Sequence, residues 1–302
     1  MEPIEALARN IDRRTVGVRD CSTAITNLGL WRRENPEPPA VCLVAPSVVL
    51  VAQGAKKMWT GGRPHRYDTE RILITTLDVP ANSEVVSACP EKPCLGLVLN
   101  LDLRLLAEMI SRGDVAPPQE KFGDLGMGVG TMTPHIADGF RRLIDLLDEP
   151  TAIPVLAPLI QREIHYRLLL SNQAAMLWHI ASTGSQSQRV AKAIDWLKAN
   201  YSESFRIEDL ASRVQMSISS LHHHFRRLTA MSPLQYQKWL RLSEARRLML
   251  NEAMDAKSAG FHVGYESPSQ FNREYTRVFG LPPKRDVLAF KSVAAKGLSD
   301  GS

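Results

Sequence analysis

The sequence predicts an α+β chain of two domains, a curled antiparallel β-domain followed by an all-α domain. Three observations carry that expectation. Between residues 38 and 100, short β-branched runs alternate with turn residues. From 134 onward apolar residues recur at helical spacing, and no strand pattern occurs beyond 190. The excess positive charge is confined to the last 117 residues: 186–302 hold 18 Lys and Arg against 11 Asp and Glu, whereas 1–185 hold 19 against 21. A basic half joined to a slightly acidic one points to a polyanionic partner for the basic half alone.

The elements follow in order. MEPIEALARNIDRR is amphipathic with no apolar centre, so it is not expected to act as a secretory leader. The run 41–54 is β-branched, interrupted at Pro46 and closed at Gly54. Runs at 71–79, 83–89 and 94–101 continue the pattern, with turns expected at 61–64, 80–82 and 90–93. Such short strands suit an antiparallel sheet curled into a sandwich or barrel. A helix is expected over 101–112. Residues 113–130 read as a connecting loop, because Gly126, Gly128 and Gly130 lack both the spacing and the preceding strand of a phosphate-binding turn. Helices follow over 134–181, and TGSQSQ (183–188) has linker composition. The expected domains are therefore 1–185 and 186–302. No apolar run approaches the roughly 18 residues of a membrane span. All four cysteines, Cys21, Cys42, Cys89 and Cys94, lie in the first hundred residues and read as reduced thiols of a cytoplasmic protein.

The basic half contains a repeat. Residues 209–236 and 258–286 align with an offset of 49 between Ala211 and Gly260 and between Val214 and Val263. The offset becomes 50 between Leu221 and Phe271 and between Phe225 and Tyr275, so the single insertion falls in the intervening turn. Two helix-turn-helix units, about 207–230 and 256–279, accommodate that spacing. Small Ala211 and Gly260 let paired helices approach, Gly264 suits a left-handed turn, and Ser217 and Ser267 can cap the second helices. Leu221, Phe225 and Leu228 share one helical face, as do Phe271, Tyr275 and Val278. Burying those faces leaves the opposite ones for a DNA major groove.

MSISSLHHHFRRLTAMSPLQY and VGYESPSQFNREYTRVFGLPP resemble the two DNA-binding motifs of the AraC/XylS transcriptional regulators. Upstream, LVAQGAKK, YDTERILITTLDVP, LNLDL and LAPLIQREIHYRLL resemble the N-terminal domain of one of its subfamilies, with similarity over about residues 20–290. The resemblance implies an N-terminal cupin-like β-barrel, a C-terminal double helix-turn-helix domain, and transcriptional regulation leaning toward activation. It implies base reading by Ser219, His222 and His223 in the first unit and by Ser269, Asn272 and Arg273 in the second. Arg226, Arg241 and Arg277 are expected at phosphates. The expected partners are double-stranded DNA, an unidentified small-molecule effector in the N-terminal domain, RNA polymerase and a second copy of the chain. Two positions depart from the family: His223 where Arg is usual, and Gly260 where Ala is common.

No cofactor, metal or catalytic residue is expected. His222, His223 and His224 are consecutive on a helix and point about 100° apart, so they cannot share one ion. The alternative, a cupin-type metalloenzyme with a helical appendage, needs a cluster of His, Glu or Asp, and the β-region offers only His65, expected on a turn. Cys89 and Cys94 flank PEKP and could make a thiol sensor, although buried or incidental cysteines are the simpler reading.

Overall fold

The computed structural model describes residues 2–119 and 126–289. The chain divides into two compact units, one of residues 1–191 with 227–230 and one of 192–226 with 231–302.

The first unit opens with helix α1 (Glu2–Thr15) and then nine strands: β1 (Asp20–Ser22), β2 (Leu28–Arg33), β3 (Glu37–Val44), β4 (Ser47–Gln53), β5 (Ala55–Thr60), β6 (Arg63–Asp68), β7 (Arg71–Thr75), β8 (Val79–Ser87) and β9 (Cys94–Asn100). Helix α2 (Leu103–Ser111), strand β10 (Met127–Thr131) and helices α3 (Pro134–Asp145), α4 (Ile153–Leu169) and α5 (Ala174–Ala181) complete it. The strands form one antiparallel sheet in the order β1-β2-β9-β4-β7-β6-β5-β8-β3, with β10 also paired to β7. Gly54, at φ +88°, joins β4 to β5 where a Cβ would lie 2.5 Å from the Ser87 carbonyl, so the chain turns a corner that only glycine fits.

Strands β2 and β5 are five steps apart in the sheet order, about 24 Å if the sheet were flat. Yet the Lys56 Nζ of β5 lies 4.6 Å from the centre of the Trp31 ring of β2. The sheet is therefore curled into a half-barrel. The two faces have separate jobs. Leu30, Val48, Leu50, Leu97 and Ile72 share a core with Leu7 and Ile11 of α1, Phe140 of α3, Leu168 of α4 and Leu177 of α5. Burial of this convex face stabilises the unit, since each fully buried aliphatic side chain contributes roughly 1.5–3 kcal/mol. Trp31, Val51, Leu73, Met58 and Tyr67 alternate with that set and line the concave side, where all five are buried.

Helix starts are chemically specified. Asp102 accepts from the backbone N–H groups of Arg104 and Leu105, and Thr133 accepts from that of Ile136 beside Pro134. Buried His165 accepts the Asp102 backbone N–H at Nε2 (2.9 Å) while its Nδ1 lies 2.7 Å from the Gln161 carbonyl. That pairing holds a neutral ring, and burial lowers its pKa.

Five sequence expectations need correction. The glycines at 126–130 do not form a loop: Met127–Thr131 pairs with β7, and Gln173 of the α4–α5 turn fills the space where a Gly128 Cβ would sit, 2.3 Å from its Oε1. Residues 80–82 are inside β8 rather than in a turn, and His65 is in β6. Strands β1, β2, β5 and β6 add to the four runs expected. The linker is also shorter, because helix α6 (Gln186–Ala199) begins inside TGSQSQ.

The second unit is helical throughout its described residues. After α6 come α7 (Ile207–Arg213), α8 (Ile218–Thr229), α9 (Pro233–Asn251), α10 (Ala256–His262) and α11 (Pro268–Phe279), and residues 283–289 are again helical. No helix among the described residues is long and apolar enough to cross a membrane.

Candidate nucleic-acid interface

Each helix pair expected from the repeat is present: α7 with α8, and α10 with α11. Gln215, at φ 55°, turns the first pair, and Gly264, at φ 90°, turns the second at the equivalent place. A Gly264 Cβ would sit 2.2 Å from the Ser202 carbonyl, so glycine there answers a close approach as well as a dihedral angle. Ser217 Oγ accepts from the Ser220 backbone N–H, and Ser267 Oγ accepts from that of Gln270. Pro268 supplies a first helical residue already set to the right φ.

Packing fixes which face of each second helix is exposed. Leu221, Phe225 and Leu228 are buried, and Phe225 meets Tyr236 of α9 edge-on with ring centres 5.4 Å apart. Phe271 and Tyr275 are buried in a cluster with Leu242, Leu248, Ala259 and Val263, while Val278 is half-buried at its edge. Gly260 is pressed against the Phe271 ring, where a Cβ would lie 3.0 Å from Cγ.

Two buried carboxylates bind α9 to α11. Glu274 accepts from Tyr265 Oη at 2.9 Å, from Lys238 Nζ at 3.1 Å and from Gln270 Nε2 at 3.3 Å. Burial pushes its pKa up, but the hydrogen bonds from Lys238, Gln270 and Tyr265 outweigh that and hold it below the usual range. Asp286 accepts two bonds from Arg246, each 2.8 Å, and one from Tyr275 Oη at 2.7 Å. The paired guanidinium–carboxylate geometry supplies direction as well as charge.

The opposite face carries the expected reading residues. Ser219 and His223 of α8 and Ser269, Asn272 and Arg273 of α11 are exposed, and His222 is half-buried. Arg226 and Arg277 are exposed one turn further along their helices. Arg241 behaves differently. Its guanidinium donates to the carbonyls of Tyr201 (2.6 Å), Gly264 (3.0 Å), Ser202 (3.1 Å) and Glu203 (3.1 Å). These bonds clamp the second turn to the segment ahead of α7 and fix where the Arg241 guanidinium stands.

A groove of about 840 Å³ runs along the exposed side of α11, lined in part by Asn272, Arg273, Thr276 and Arg277 with Lys257 and Lys284. Its one acid, Asp255, is occupied in capping α10 through the N–H groups of Lys257 and Ser258. The cations make no salt bridge among the described residues, so the groove presents four positive charges to whatever lies along α11. Lys257 and Lys284 escaped the sequence reading because only the fold brings them beside Arg273. Elsewhere, among the described residues, no three His, Cys, Asp or Glu side chains meet in a metal-binding group. Cys89 is exposed and Cys94 buried, and burial raises the Cys94 pKa to about 11, which makes it a poor nucleophile.

Two helix-turn-helix units in one helical unit, with a half-barrel in the other, define the architecture of a transcriptional regulator. Residues 24–176 match the AraC-type transcriptional regulator N-terminus, and residues 210–286 match a helix-turn-helix domain. The chain belongs to the AraC-type transcriptional regulators. It is 29% identical over 137 residues to the transcriptional activator RhaS of Pectobacterium carotovorum subsp. carotovorum, covering 45% of this chain and 47% of that protein. A 37-residue stretch is 68% identical to the regulator YneL of Escherichia coli K12, covering 12% of this chain and 63% of that protein. The chain spans about half the length of the RhaS relatives it matches. In fold it is similar to apo ToxT of Vibrio cholerae, at 8% identity and a TM-score of 0.57 over 88% of this chain and 99% of that one. Fatty-acid-bound ToxT matches at 9% identity and a TM-score of 0.53, over 86% of this chain and 94% of that one.

Proposed function

We propose that the chain is a sequence-specific DNA-binding transcriptional regulator and not an enzyme. Residues 186–302 form the DNA-binding domain and residues 1–185 the regulatory domain. The observation that carries this reading is Arg273, which stands exposed on α11 in a cationic groove while the other face of that helix is buried. An arginine so presented can donate two bonds to guanine O6 and N7, worth about 1–3 kcal/mol of discrimination. Asn272 and Ser269 read beside it, and Ser219, His222 and His223 read from α8. Arg226, Arg277, Lys257 and Lys284 contact phosphates and set the register without selecting sequence.

The regulatory domain binds a small-molecule effector, a reading supported by the half-barrel and by the ToxT structure solved with an unsaturated fatty acid. Effector control requires that the ligand favour one of two conformations. The protein acts in the cytoplasm as an activator, as the RhaS relatives are named, with RNA polymerase and a second copy of the chain as partners. Selection of bound DNA from a random pool tests the proposal. A recurrent motif whose recognition weakens on Arg273→Ala supports it, and equal affinity for every sequence refutes it.

A further inference from the structure

After Pro268, the α11 residues that line the groove are Asn272, Arg273, Thr276 and Arg277. Three of them end in an amide or a guanidinium. Thr276 does not, yet it stands near the middle of the face. At about 100° per residue it lies about 20° around the helix from Ser269, about 40° from Asn272 and about 60° from Arg273. The repeat sharpens the exception. The offset of 50 that matches Phe225 to Tyr275 matches Thr276 to Arg226, which is exposed on α8. Where the first unit presents a long cation, the second presents a short, half-buried side chain.

The chemistry left to Thr276 is narrow. Its hydroxyl donates to the Asn272 carbonyl at 2.8 Å, one turn back along α11. A hydroxyl has one proton, so none remains for a phosphate oxygen or for an acceptor on a base edge. The same bond holds the side chain in one rotamer. The methyl group is the part of Thr276 that is left to meet a ligand. In the major groove the apolar feature of the base edges is the 5-methyl of thymine, and threonine methyls are among the groups that pack against it.

We infer that Thr276 is a specificity-determining residue, which selects thymine by methyl-to-methyl contact at a base pair adjoining the one read by Arg273. Three residues beyond Arg273, it lies about 4.5 Å further along the helix axis, against about 3.4 Å between stacked base pairs. That step carries it to a neighbouring pair. The inference rests on the DNA reading proposed above and adds to it a base recognised without a hydrogen bond.

The test uses the full chain on its selected DNA site, where the position relaxed by Arg273→Ala marks the guanine. Thymine should recur at an adjoining position. Replacing that thymine by deoxyuridine removes the base methyl alone and should weaken wild-type binding about fourfold, the factor that burial of one methyl-sized group supplies. Thr276→Ser keeps the hydroxyl bond to Asn272 and loses the methyl, so it should bind the thymine and deoxyuridine sites equally. Thr276→Val loses the bond and keeps the methyl, so it should still discriminate between them. A threonine that serves only the helix would do the reverse: serine would be tolerated, valine would weaken binding, and deoxyuridine would make no difference to any of the three proteins. No thymine beside the guanine, wild-type binding indifferent to deoxyuridine there, or discrimination that survives in Thr276→Ser overturns the assignment while reading by Arg273 stands. Equal affinity of the wild type for every sequence removes the DNA reading itself, and the assignment with it.

Discussion

The two helix-turn-helix units have nearly the same backbone and very different reading faces. Gln215 and Gly264 both turn left-handed between helices, and Ala230 and Gly280, fifty residues apart, both do so after the second helix, at φ 61° and 80°. Their cores correspond as well, with Leu221 and Phe225 matched by Phe271 and Tyr275. On the exposed side the first unit offers Ser219, His222 and His223, whereas the second offers Ser269, the counterpart of Ser219, together with Asn272 and Arg273 in a groove with Lys257, Arg277 and Lys284. The comparison teaches that packing constrains the scaffold twice over and leaves each reading face free to diverge. On the proposed reading, most of the sequence discrimination falls to the second unit.

That division can be broken or sharpened by substitution. The largest effects should fall equally on both scaffolds: Phe225→Ala and Phe271→Ala are each expected to cost about 3–5 kcal/mol, read from denaturant unfolding. Markedly unequal losses would mean that the two cores are not equivalent. Next come the reading faces, where equality should fail. Arg273→Ala should cost about 1–3 kcal/mol on the selected site and relax one base position, whereas His223→Ala should cost about 1 kcal/mol or less in the same titration.

Smaller effects separate charge from reading. Lys257→Ala and Lys284→Ala should weaken binding uniformly across sequences, each reducing the slope of log affinity against log salt by about 1. Gly260→Ala should fail to recover the roughly 1 kcal/mol that helix propensity offers, because the added methyl meets the Phe271 ring; thermal unfolding reads the outcome. The smallest is a pH effect. Glu274 has a folded pKa below its unfolded one, so its contribution is complete above about pH 4.3 and is lost as pH falls through the folded value. The wild-type melting temperature should therefore fall more steeply under acid than that of Glu274→Gln.

Much of this organisation was legible in the sequence. The repeat located both helix pairs, since a turn tolerates one inserted residue and a buried helical face does not. The β-branched runs revealed the strands that are buried on both sides. Strands β5 and β6 (AKKMWT and RPHRYD) were not legible, because polar residues such as Lys56 and His65 hide in them under neighbours the sequence does not name. Strand β10 was read as a loop because its glycines make room for Gln173, which lies more than forty residues away. The fate of Arg241 depends on carbonyls at 201–203 that converge on it only after folding, and Lys257 and Lys284 become groove residues by the same route.

The claim that two unequal readers sit in one domain is tested most directly by selecting DNA sites with the full chain and with Arg273→Ala. The account predicts two preferred segments about 10–10.5 base pairs apart, centre to centre. The stronger of them should lose its preference in the variant while the weaker persists. A single segment, or two segments that Arg273→Ala leaves unchanged, would contradict it.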